Sequence, residues 1–388
     1  MKILFVTESY WPNMDGGALF ERRLVHGLID QGHTLQVWTP GKKLLSYLEK
    51  DGTSVIIREK SFPLIFNLKY RLSYWPFFKI GRIIRNFQPD IIHIHNPGLM
   101  GLCTMLYARR HKLPTLATNH LMPENILLNI KWLGFAYKLI YKLIWRYLVW
   151  FHNQASFVTS PTNTAISLLK QHGLKTPCQA VSNGIDVETY NTSTSPDSIS
   201  QSYHIPPRPI LLYLGRVDGE KRIDIIIQAL PLIVAKIDVQ LVIAGYGNEM
   251  AKLVALAEEL GMADHVTFTG RIPETDKPLL YKLATIFVIS SPAELQSIVT
   301  LEAMASHKPV VAVNVAALSE LVHDGVNGHL FKENDYRELA TKCTDLLQNS
   351  QKLTDFGEAS YQIVVKDHSN QSTISKYEQI YKRLAGQK

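Results

Sequence analysis

A short apolar run followed by a polar loop and a stretch with helical spacing recurs along the whole chain, and this repetition constrains the fold more than any other feature. In the first half the apolar runs occupy residues 1–6, 35–39, 90–95, 115–118 and 155–159. In the second half they occupy residues 210–214, 239–244, 266–269, 286–290 and 310–313. Continuous apolar strands that alternate with helix-length segments are typical of parallel sheets covered by helices. The sequence therefore predicts an α/β protein with two doubly wound halves.

The halves are separated by a polar stretch at residues 191–201 and a proline-rich stretch at residues 206–209, both of which oppose regular structure. A length of 388 residues also exceeds that of a usual single domain. We therefore expect one domain over residues 1–190 and another over residues 202–365. The spacing in residues 370–388 predicts a terminal helix that either ends the second domain or packs back on the first. Ligands are expected at the carboxyl ends of the strands and in the cleft between the halves.

The composition excludes several kinds of site. The three cysteines lie far apart without a Cys-x-x-Cys, and the histidines show no metal-ligand spacing, so neither a disulfide framework nor a zinc site is expected. The apolar run at residues 1–6 is too short for a signal peptide, and no later run approaches the roughly 18 apolar residues of a membrane span. A cytoplasmic protein is the expectation.

The net charge of +7 is unevenly distributed along the chain. Residues 1–190 contain 22 Lys and Arg against 11 Asp and Glu, whereas residues 191–388 contain 19 against 23. The first half therefore carries the basic surface. Nucleic acid and anionic lipid are both candidate partners for such a surface, and charge alone does not decide between them.

The strongest candidate site follows the apolar run at residues 286–290. The sequence from Ser290 to Glu302 reads Ser-Ser-Pro-Ala-Glu-Leu-Gln-Ser-Ile-Val-Thr-Leu-Glu. Glu294 is expected in the strand-to-helix loop and Glu302 about two turns further on, so one carboxylate can face a sugar and the other a ribose. The backbone N–H groups that open the helix favour a phosphate, and they belong to Ser297, Ile298 and Val299. Two solvated carboxylates near a helix start are the alternative interpretation.

A second candidate site is the basic turn that follows the apolar run at residues 210–214. Gly215 allows close approach of the backbone, and Arg216 and Lys221 supply two cations that can neutralise a diphosphate leaving group. By itself this pattern is a weak signal, because Lys and Arg in loops are mostly solvated.

Together, this Gly-Arg-x4-Lys turn and the downstream Glu-x7-Glu segment resemble the retaining glycosyltransferases of family 4, the group 1 enzymes with the GT-B fold. The resemblance covers nearly the whole chain. It includes Gly16-Gly17, Asp90-Ile-Ile-His93-Ile-His95, Thr118-Asn-His120, Ser182-Asn-Gly-Ile-Asp186, Ala244-Gly245-x-Gly247 and Glu320-Leu-Val-x-Asp-Gly-x-Asn-Gly328. It implies two Rossmann-like domains that face each other across a cleft, with the acceptor on the side of residues 1–190 and the nucleotide sugar on residues 202–365.

The resemblance also implies roles for single residues. Arg216 and Lys221 match the pair that binds the diphosphate. Glu294 matches the carboxylate that holds the hydroxyls of the transferred sugar, and Glu302 matches the one that holds the ribose.

In the first domain, Gly16 and Gly17 match the loop that lets the backbone approach the phosphate. His120 matches the histidine beside the transferred sugar, where it contacts a hydroxyl. Alternatively, His120 is a core histidine at the end of a strand, with its hydrogen bonds made inside the protein.

Several positions depart from the family pattern. Arg222 and His307 stand where the family commonly has glycine, and Tyr246 stands where an Asp often follows Ala-Gly. Gln296 and Ser297 replace a frequent Phe-Gly beside the donor sugar, which leaves the identity of the sugar open.

The resemblance implies a mechanism without a metal or other cofactor. The sequence has no Asp-x-Asp, so cationic side chains and a helix N-terminus are expected to stabilise the departing nucleotide diphosphate. Retention in this family is attributed to front-side attack, in which the leaving phosphate oxygen takes the proton of the acceptor. The two-carboxylate mechanism of glycosidases is therefore not expected of Glu294 and Glu302.

Two segments of the first half, residues 62–85 and 132–151, combine aromatic residues with Lys and Arg. Lys138, Lys142 and Arg146 recur every four residues, which predicts one stripe on a helix, and Trp145 is expected beside it in the headgroup region of a membrane. A helix of this kind can instead pack against the sheet through its aromatic residues. The pattern favours a protein that lies on the anionic inner face of the cell membrane.

The predicted function is therefore that of a hexosyltransferase that moves a hexose from UDP-glucose, GDP-mannose or a similar donor to diacylglycerol, a phospholipid or a glycolipid. A soluble or polyprenyl-linked saccharide is an alternative acceptor. A nucleic-acid-binding protein would explain the charge and leave the Glu-x7-Glu segment unused, so no nucleic-acid partner is expected. A dehydrogenase is disfavoured because no Gly-x-Gly-x-x-Gly follows the first strand.

Overall fold

A computed structural model describes residues 1–13, 16–43, 45–64, 67–74, 76–121, 123 and 135–386. The chain forms two compact units, Met1–Gly184 together with Asn370–Lys388, and Ile185–Ser369. Each unit contains its own largely parallel sheet. Every apolar run that was predicted to be a strand is a strand in the structure.

The described residues of unit 1 form ten strands and five α-helices before the chain enters unit 2. The strands are β1 Lys2–Val6, β2 Thr34–Pro40, β3 Tyr47–Asp51, β4 Ser54–Glu59, β5 Ser61–Leu64, β6 Asn67–Ser73, β7 Ile91–Ile94, β8 Thr115–Thr118, β9 Phe157–Ser160 and β10 Cys178–Ala180. The helices are α1 Gly16–Asp30, α2 Phe77–Phe87, α3 Leu99–Arg110, α4 Phe135–His152 and α5 Asn163–Gln171.

The main sheet of unit 1 has the order β10-β9-β8-β7-β1-β2-β4-β3 and is parallel except for the β3–β4 pair at its edge. The β5–β6 hairpin forms a separate antiparallel pair. Because β1 pairs with β2 on one side and with β7 on the other, the strand order reverses at β1. The sequence analysis did not predict the strands at residues 47–73, which alternate weakly and contain many charged residues.

Unit 2 consists of nine helices and six strands. The helices are α6 Val187–Tyr190, α7 Asp197–Ser202, α8 Ile223–Val234, α9 Met250–Glu259, α10 Lys277–Leu283, α11 Ile298–Ala305, α12 Leu318–Leu321, α13 Tyr336–Leu347 and α14 Ser350–Ile363. The strands are β11 Ile210–Leu214, β12 Gln240–Ala244, β13 Val266–Gly270, β14 Ile286–Ile289, β15 Val310–Val313 and β16 Gly328–Phe331. They form one parallel sheet in the order β13-β12-β11-β14-β15-β16. Every residue of β11, β12, β14 and β15 is buried, which explains their unbroken apolar runs.

The last helix, α15 Asn370–Ala385, belongs to unit 1 although the whole of unit 2 precedes it in the chain. It packs against α1, where Tyr377, Ile380 and Leu384 join the same buried cluster as Phe20. A Cβ at Gly27 would lie 2.1 Å from Cδ1 of Ile374, so a larger residue here would require the side chain of Ile374 to move.

The opposite face of the unit 1 sheet is covered by α2, α3 and α4. Their buried side chains, which include Ile84, Met105, Trp145 and Val149, form one cluster with Trp38 of the sheet. The two faces of this sheet are thus covered by different sets of helices, as a doubly wound sheet requires.

Candidate functional site

The candidate donor site lies where the strand order of unit 2 reverses. The chain passes from β11 outward to β13 and then returns to place β14 on the other side of β11. The loops after neighbouring strands diverge at such a point and leave a crevice for a ligand. Lys221 lies in the turn after β11 and Glu294 in the loop after β14, which explains why residues 73 positions apart meet.

Lys221 and Glu294 form an ion pair in which Nζ lies 2.7 Å from Oε1. Both side chains are mostly buried, with 13% and 16% of their surface exposed. Ser290, directly after β14, holds the turn that contains Lys221 against β14, because its hydroxyl donates to the carbonyl oxygens of Lys221 and Arg222. The structure thus brings together the predicted diphosphate-binding lysine and the predicted sugar-binding carboxylate.

Arg216 is the more exposed of the two predicted cations, with 64% of its side chain accessible. Its guanidinium pairs with Asp218 and Glu220 of the same turn. The hydroxyl of Tyr213 donates to the carbonyl oxygen of Arg216 at 2.8 Å and holds the backbone of the loop. A diphosphate would have to replace these carboxylates as the partner of Arg216.

Glu302 is buried on α11, with 6% of its surface exposed. The hydroxyl of Tyr281 donates to its Oε2 at 2.8 Å, and Tyr190 supplies a further hydrogen bond. Burial raises the pKa of Glu302, while the nearby Lys277 and the two tyrosines oppose the rise. Hydrogen-bond donors on a carboxylate favour its ionised form, so Tyr281 helps to keep Glu302 competent to accept hydrogen bonds from a ribose.

The N-terminus of α11 lies between the two carboxylates along the chain. Ser297 occupies the N-cap position in an extended conformation and makes no side-chain cap bond, while its hydroxyl accepts from Thr300 at 2.8 Å. Ser297 and Gln296 are both buried. Ile298 and Val299 open the helix, and the backbone N–H groups of a first turn carry the partial positive charge that suits a phosphate.

Two departures from the family pattern conserve the backbone conformation of glycine. Arg222 has φ 50° and His307 has φ 56°, both in the left-handed region that glycine adopts without penalty. Side-chain contacts accompany each strained backbone. Arg222 pairs with Asp224, and the ring of His307 stacks on Tyr361 with 4.0 Å between centroids.

At the Ala-Gly-x-Gly segment, Gly245 has φ 148° and approaches the loop after β11 closely. A Cβ at Gly245 would lie 1.8 Å from the carbonyl oxygen of Gly215, so the two loops meet only because position 245 is glycine. Tyr246, the third departure, is 73% exposed.

In unit 1, Gly16 and Gly17 form the first turn of α1. The resemblance matched them to a loop, whereas the structure includes them in the helix. Gly16 is exposed and no atom lies within 4 Å of the position of its missing Cβ. The first turn of a helix leaves N–H groups without intrahelical partners, so both glycines keep a backbone that can approach an anion.

His120 follows β8 and is half-buried. Its Nε2 lies 3.4 Å from Nδ1 of His95, and its ring meets the ring of Phe20 edge-on at 5.2 Å between centroids. His120 therefore stands at the carboxyl edge of the unit 1 sheet with one ring nitrogen turned toward a buried histidine.

The predicted basic stripe lies on α4, where Lys138, Lys142 and Arg146 are all exposed. An apolar stripe runs beside it, because Leu139 is 52% exposed and Leu143 is 53% exposed. Tyr147 and Trp150 continue the apolar stripe toward the end of the helix, and they are 36% and 43% exposed.

The prediction for Trp145 was wrong. Trp145 is 3% exposed, and its ring stacks on that of His172 with 3.9 Å between centroids, so it lies in the core beneath α4. In the two aromatic and basic segments, residues 65, 66, 75 and 132–134 lie outside the described residues.

The described part of the chain contains no group of three His, Cys, Asp or Glu side chains that could hold a metal ion. None of its helices combines the length and the hydrophobicity that crossing a bilayer requires.

The sequence analysis missed several residues that support this site. Tyr281 holds Glu302, Glu220 pairs with Arg216, and Ser290 fastens the basic turn to β14. Tyr281 and Ser290 act through contacts with residues far away in the chain, which no local pattern shows. Glu220 lies four residues after Arg216, but a helical turn begins only at Gly219, so helical spacing did not predict this pair.

Sequence profiles of two families match the chain. The family described as Glycosyltransferase Family 4 matches residues 14–189, and the family described as Glycosyl transferases group 1 matches residues 196–363. Together the two matches cover most of both units.

Individual proteins match over most of their length. The alpha-monoglucosyldiacylglycerol synthase of Streptococcus pneumoniae is 29% identical over 338 residues, which cover 85% of this chain and 75% of that protein. A GDP-mannose-dependent alpha-mannosyltransferase of Corynebacterium glutamicum is 24% identical over 393 residues, covering 98% of this chain and 88% of the relative.

Among solved structures, HepE of Anabaena in complex with UDP superposes with a TM-score of 0.78 at 21% identity, over 99% of this chain and 100% of that one. The same protein has been solved with UDP-glucose, and that structure gives a TM-score of 0.75 at 19% identity, over 99% of this chain and 100% of that one. These structures establish the fold, and the expectation of two Rossmann-like domains of the GT-B kind is confirmed.

Proposed function

Because the chain belongs to the group 1, family 4 glycosyltransferases, we propose that it transfers a hexose, with retention of configuration, from a nucleotide-diphosphate sugar to a membrane-lipid acceptor. The activity of a hexosyltransferase follows from the family. The donor is a sugar of the UDP-glucose or GDP-mannose type, and the acceptor is diacylglycerol, a phospholipid or a glycolipid at the inner face of the cell membrane.

The amphipathic exposed face of α4 is the main observation in support of a lipid acceptor. Lys138, Lys142 and Arg146 lie beside Leu139 and Leu143, and all five side chains are exposed. A helix that lies on a membrane presents this combination, because its apolar side chains enter the headgroup region while its cations meet anionic lipid. The two half-exposed leucines beside the cations give this face of α4 both the apolar and the charged groups that such contact needs.

Helix α2 of unit 1 adds to this argument. Phe77 is 49% exposed and Phe78 is 82% exposed, and Lys79, Arg82 and Arg85 on the same helix are exposed as well. The net charge of +11 over residues 1–190 has the sign that attracts an anionic surface.

The related proteins support the chosen substrates. The name of the Streptococcus pneumoniae relative describes a glucosyl lipid built on diacylglycerol. The Corynebacterium glutamicum relative is named for a GDP-mannose donor, and HepE has been solved with UDP-glucose. Both donor types are therefore kept in the proposal.

In the proposed reaction the diphosphate of the donor takes the place of carboxylates as the partner of Lys221 and Arg216. Glu294, released from Lys221, accepts hydrogen bonds from hydroxyls of the sugar, and Glu302 accepts them from the ribose. His120 contacts a hydroxyl of the transferred sugar. Fixed cations are effective here because negative charge develops on the leaving diphosphate as its bond to the sugar breaks.

Retention follows from attack on the same face of the sugar from which the diphosphate departs. The bond between the anomeric carbon and the phosphate oxygen breaks, the acceptor oxygen bonds to that carbon, and the acceptor proton passes to the departing phosphate oxygen. No protein nucleophile takes part. Lys221, Arg216 and the N-terminus of α11 supply the positive charge, so the reaction is proposed to need no metal.

The test is a transfer assay with purified protein, UDP-glucose or GDP-mannose, and vesicles that contain diacylglycerol and an anionic phospholipid. We expect a glycosylated lipid whose anomeric configuration, determined by NMR, equals that of the donor, and we expect activity to persist in a chelator. A product formed only on a soluble or polyprenyl-linked saccharide, without dependence on vesicles, would contradict the lipid acceptor. Inversion or strict dependence on a divalent ion would contradict the mechanism.

A further inference from the structure

Unit 1 contains a buried cluster of ionisable side chains that neither the donor site nor the membrane surface uses. Glu21 on α1 is 1% exposed, and His93 on β7 and His95 directly after that strand are fully buried. Burying a carboxylate costs several kcal/mol unless hydrogen bonds compensate it, so a buried Glu beside histidines calls for a reason.

The cluster forms a continuous chain of contacts centred on His95. Its Nδ1 lies 3.4 Å from Nε2 of His120 and 3.7 Å from Oε1 of Glu21. Its Nε2 lies 3.3 Å from Nδ1 of His93. Glu21 and His120 therefore approach the same ring nitrogen of His95 from two sides.

His93 extends this chain into the core. Its Nε2 lies 2.6 Å from the hydroxyl of Thr118, and its Nδ1 lies 2.7 Å from the hydroxyl of Tyr381 on α15. The chain thus ends on hydroxyl groups, which can donate or accept as the direction of the other bonds requires.

The positions of the protons follow from the charges. Burial lowers the pKa of both His93 and His95 well below the usual value, so each ring is neutral and carries one N–H. An ionised Glu21 favours the proton of His95 on Nδ1, because the other tautomer would turn a lone pair toward the carboxylate. Nε2 of His95 is then unprotonated and faces Nδ1 of His93 at 3.3 Å.

The same order extends outward to His120. Since Nδ1–H of His95 is a donor, the facing Nε2 of His120 at 3.4 Å is an acceptor, and in the neutral form of His120 the proton is then on Nδ1.

We propose that Glu21 is a positioning residue that acts through His95 to fix the tautomer of His120 with the proton on Nδ1. His120 is thereby held as the hydrogen-bond donor that contacts a hydroxyl of the transferred sugar. The contact with the sugar rests on the proposed function, whereas the tautomer is a property of the protein alone.

The first test is a measurement of the tautomer without substrate. In protein labelled with 15N-histidine, two-bond 1H–15N correlations distinguish the two neutral tautomers, and a His120→Gln variant identifies the signals of His120. We expect Nδ1–H in the native protein. In Glu21→Gln the carboxylate is replaced by an amide of the same shape that can donate to His95, and we expect His120 to shift toward Nε2–H. A native His120 with its proton on Nε2, or a tautomer unchanged in Glu21→Gln, overturns the proposal.

The second test is kinetic. Glu21→Gln should lower kcat by about threefold to tenfold, the weight of one neutral hydrogen bond, with little change in KM for the donor. If Glu21→Gln does not fold, His95→Gln interrupts the chain while Glu21 remains, and the same two readouts apply. A purely structural Glu21 would lower Tm and leave both the tautomer and kcat of the folded protein unchanged.

The two proposals fail in different ways. Full activity of His120→Ala would remove the sugar contact and leave the tautomer result standing. An altered tautomer with unchanged kcat would show that Glu21 orders the ring without serving the reaction, which also overturns the positioning role.

Discussion

Charge reversal along the basic stripe of α4 tests the membrane surface most directly. In the triple variant Lys138→Glu, Lys142→Glu and Arg146→Glu, three exposed cations become anions on one helical stripe. Each Lys or Arg near an anionic bilayer is worth about 1 kcal/mol, so the loss of three corresponds to about 3 kcal/mol. At 1.4 kcal/mol per factor of ten this is about a hundredfold in partitioning, and repulsion of the new carboxylates adds to it.

The assay is sedimentation with vesicles that contain anionic phospholipid, at low and at high salt. The difference between native protein and variant should shrink as salt rises, because exposed charges are screened beyond about 10 Å at 0.1 M salt. Stabilisation of the variant by nucleotide sugar shows that unit 2 is intact, and a native circular dichroism spectrum and Tm report the folding of unit 1.

A matched control reverses three exposed cations of unit 2, Lys236→Glu, Arg271→Glu and Lys366→Glu. Both triple variants change the net charge equally, so general attraction to the vesicle affects them alike. Equal loss of binding in the two variants would refute a specific role of the stripe, and so would normal binding by the α4 variant.

Three further predictions concern unit 2. Lys221→Ala should lower kcat by about a hundredfold to a thousandfold, since one preorganised donor to a developing charge is removed. A kcat within threefold of the native value in steady-state assays would contradict the assignment of Lys221 as a diphosphate-binding residue. Tyr281→Phe removes a hydrogen bond that lowers the pKa of Glu302, so nucleotide binding that needs ionised Glu302 should be lost at a higher pH than in the native protein. If calorimetry shows the same loss of nucleotide affinity with falling pH in both proteins, the hydroxyl has no such effect. His307→Gly relieves the left-handed backbone that His307→Ala retains, so in urea unfolding the Gly variant should be more stable than the Ala variant by about 1 kcal/mol; the reverse order would contradict the strain.

The framework of the donor site could be predicted from the sequence. Runs buried on both faces of a parallel sheet are uninterrupted in sequence, and the residues after β11 and β14 meet because the strand order reverses there. The sequence pattern placed Lys221 and Glu294 in loops after strands, and the observed strand order brings these loops together, with 2.7 Å between Nζ and Oε1.

Trp145 shows where the same reasoning reached its limit. It precedes Arg146 by one residue, and one residue turns a helix by about 100°, so the two side chains lie on different faces. Because α4 carries aromatic residues on its buried and its exposed faces alike, periodicity could not assign Trp145 to either. The contact with His172 that decides the matter joins two helices and leaves no local signature.

The histidine chain shows a second limit. His93 and His95 alternate with isoleucines in a buried strand, and their contacts come from α1, β8 and α15. Such a network depends on which helix covers which face of the sheet. A single sequence without that packing shows only two histidines in an apolar run.

The return of α15 to unit 1 gives the order of synthesis a consequence for the folding of the enzyme. Until residues 370–385 leave the ribosome, the face of α1 that carries Phe20 lacks Tyr377 and Ile380, and His93 lacks the hydroxyl of Tyr381. At typical elongation rates the ribosome needs about 10 to 40 s to make the intervening unit 2. During that interval unit 1 is an incomplete globule with an uncovered apolar face, whereas unit 2 is continuous in the chain and can close as soon as it emerges. Nascent unit 1 therefore keeps this apolar surface exposed until α15 emerges, and its histidine chain gains Tyr381 only then.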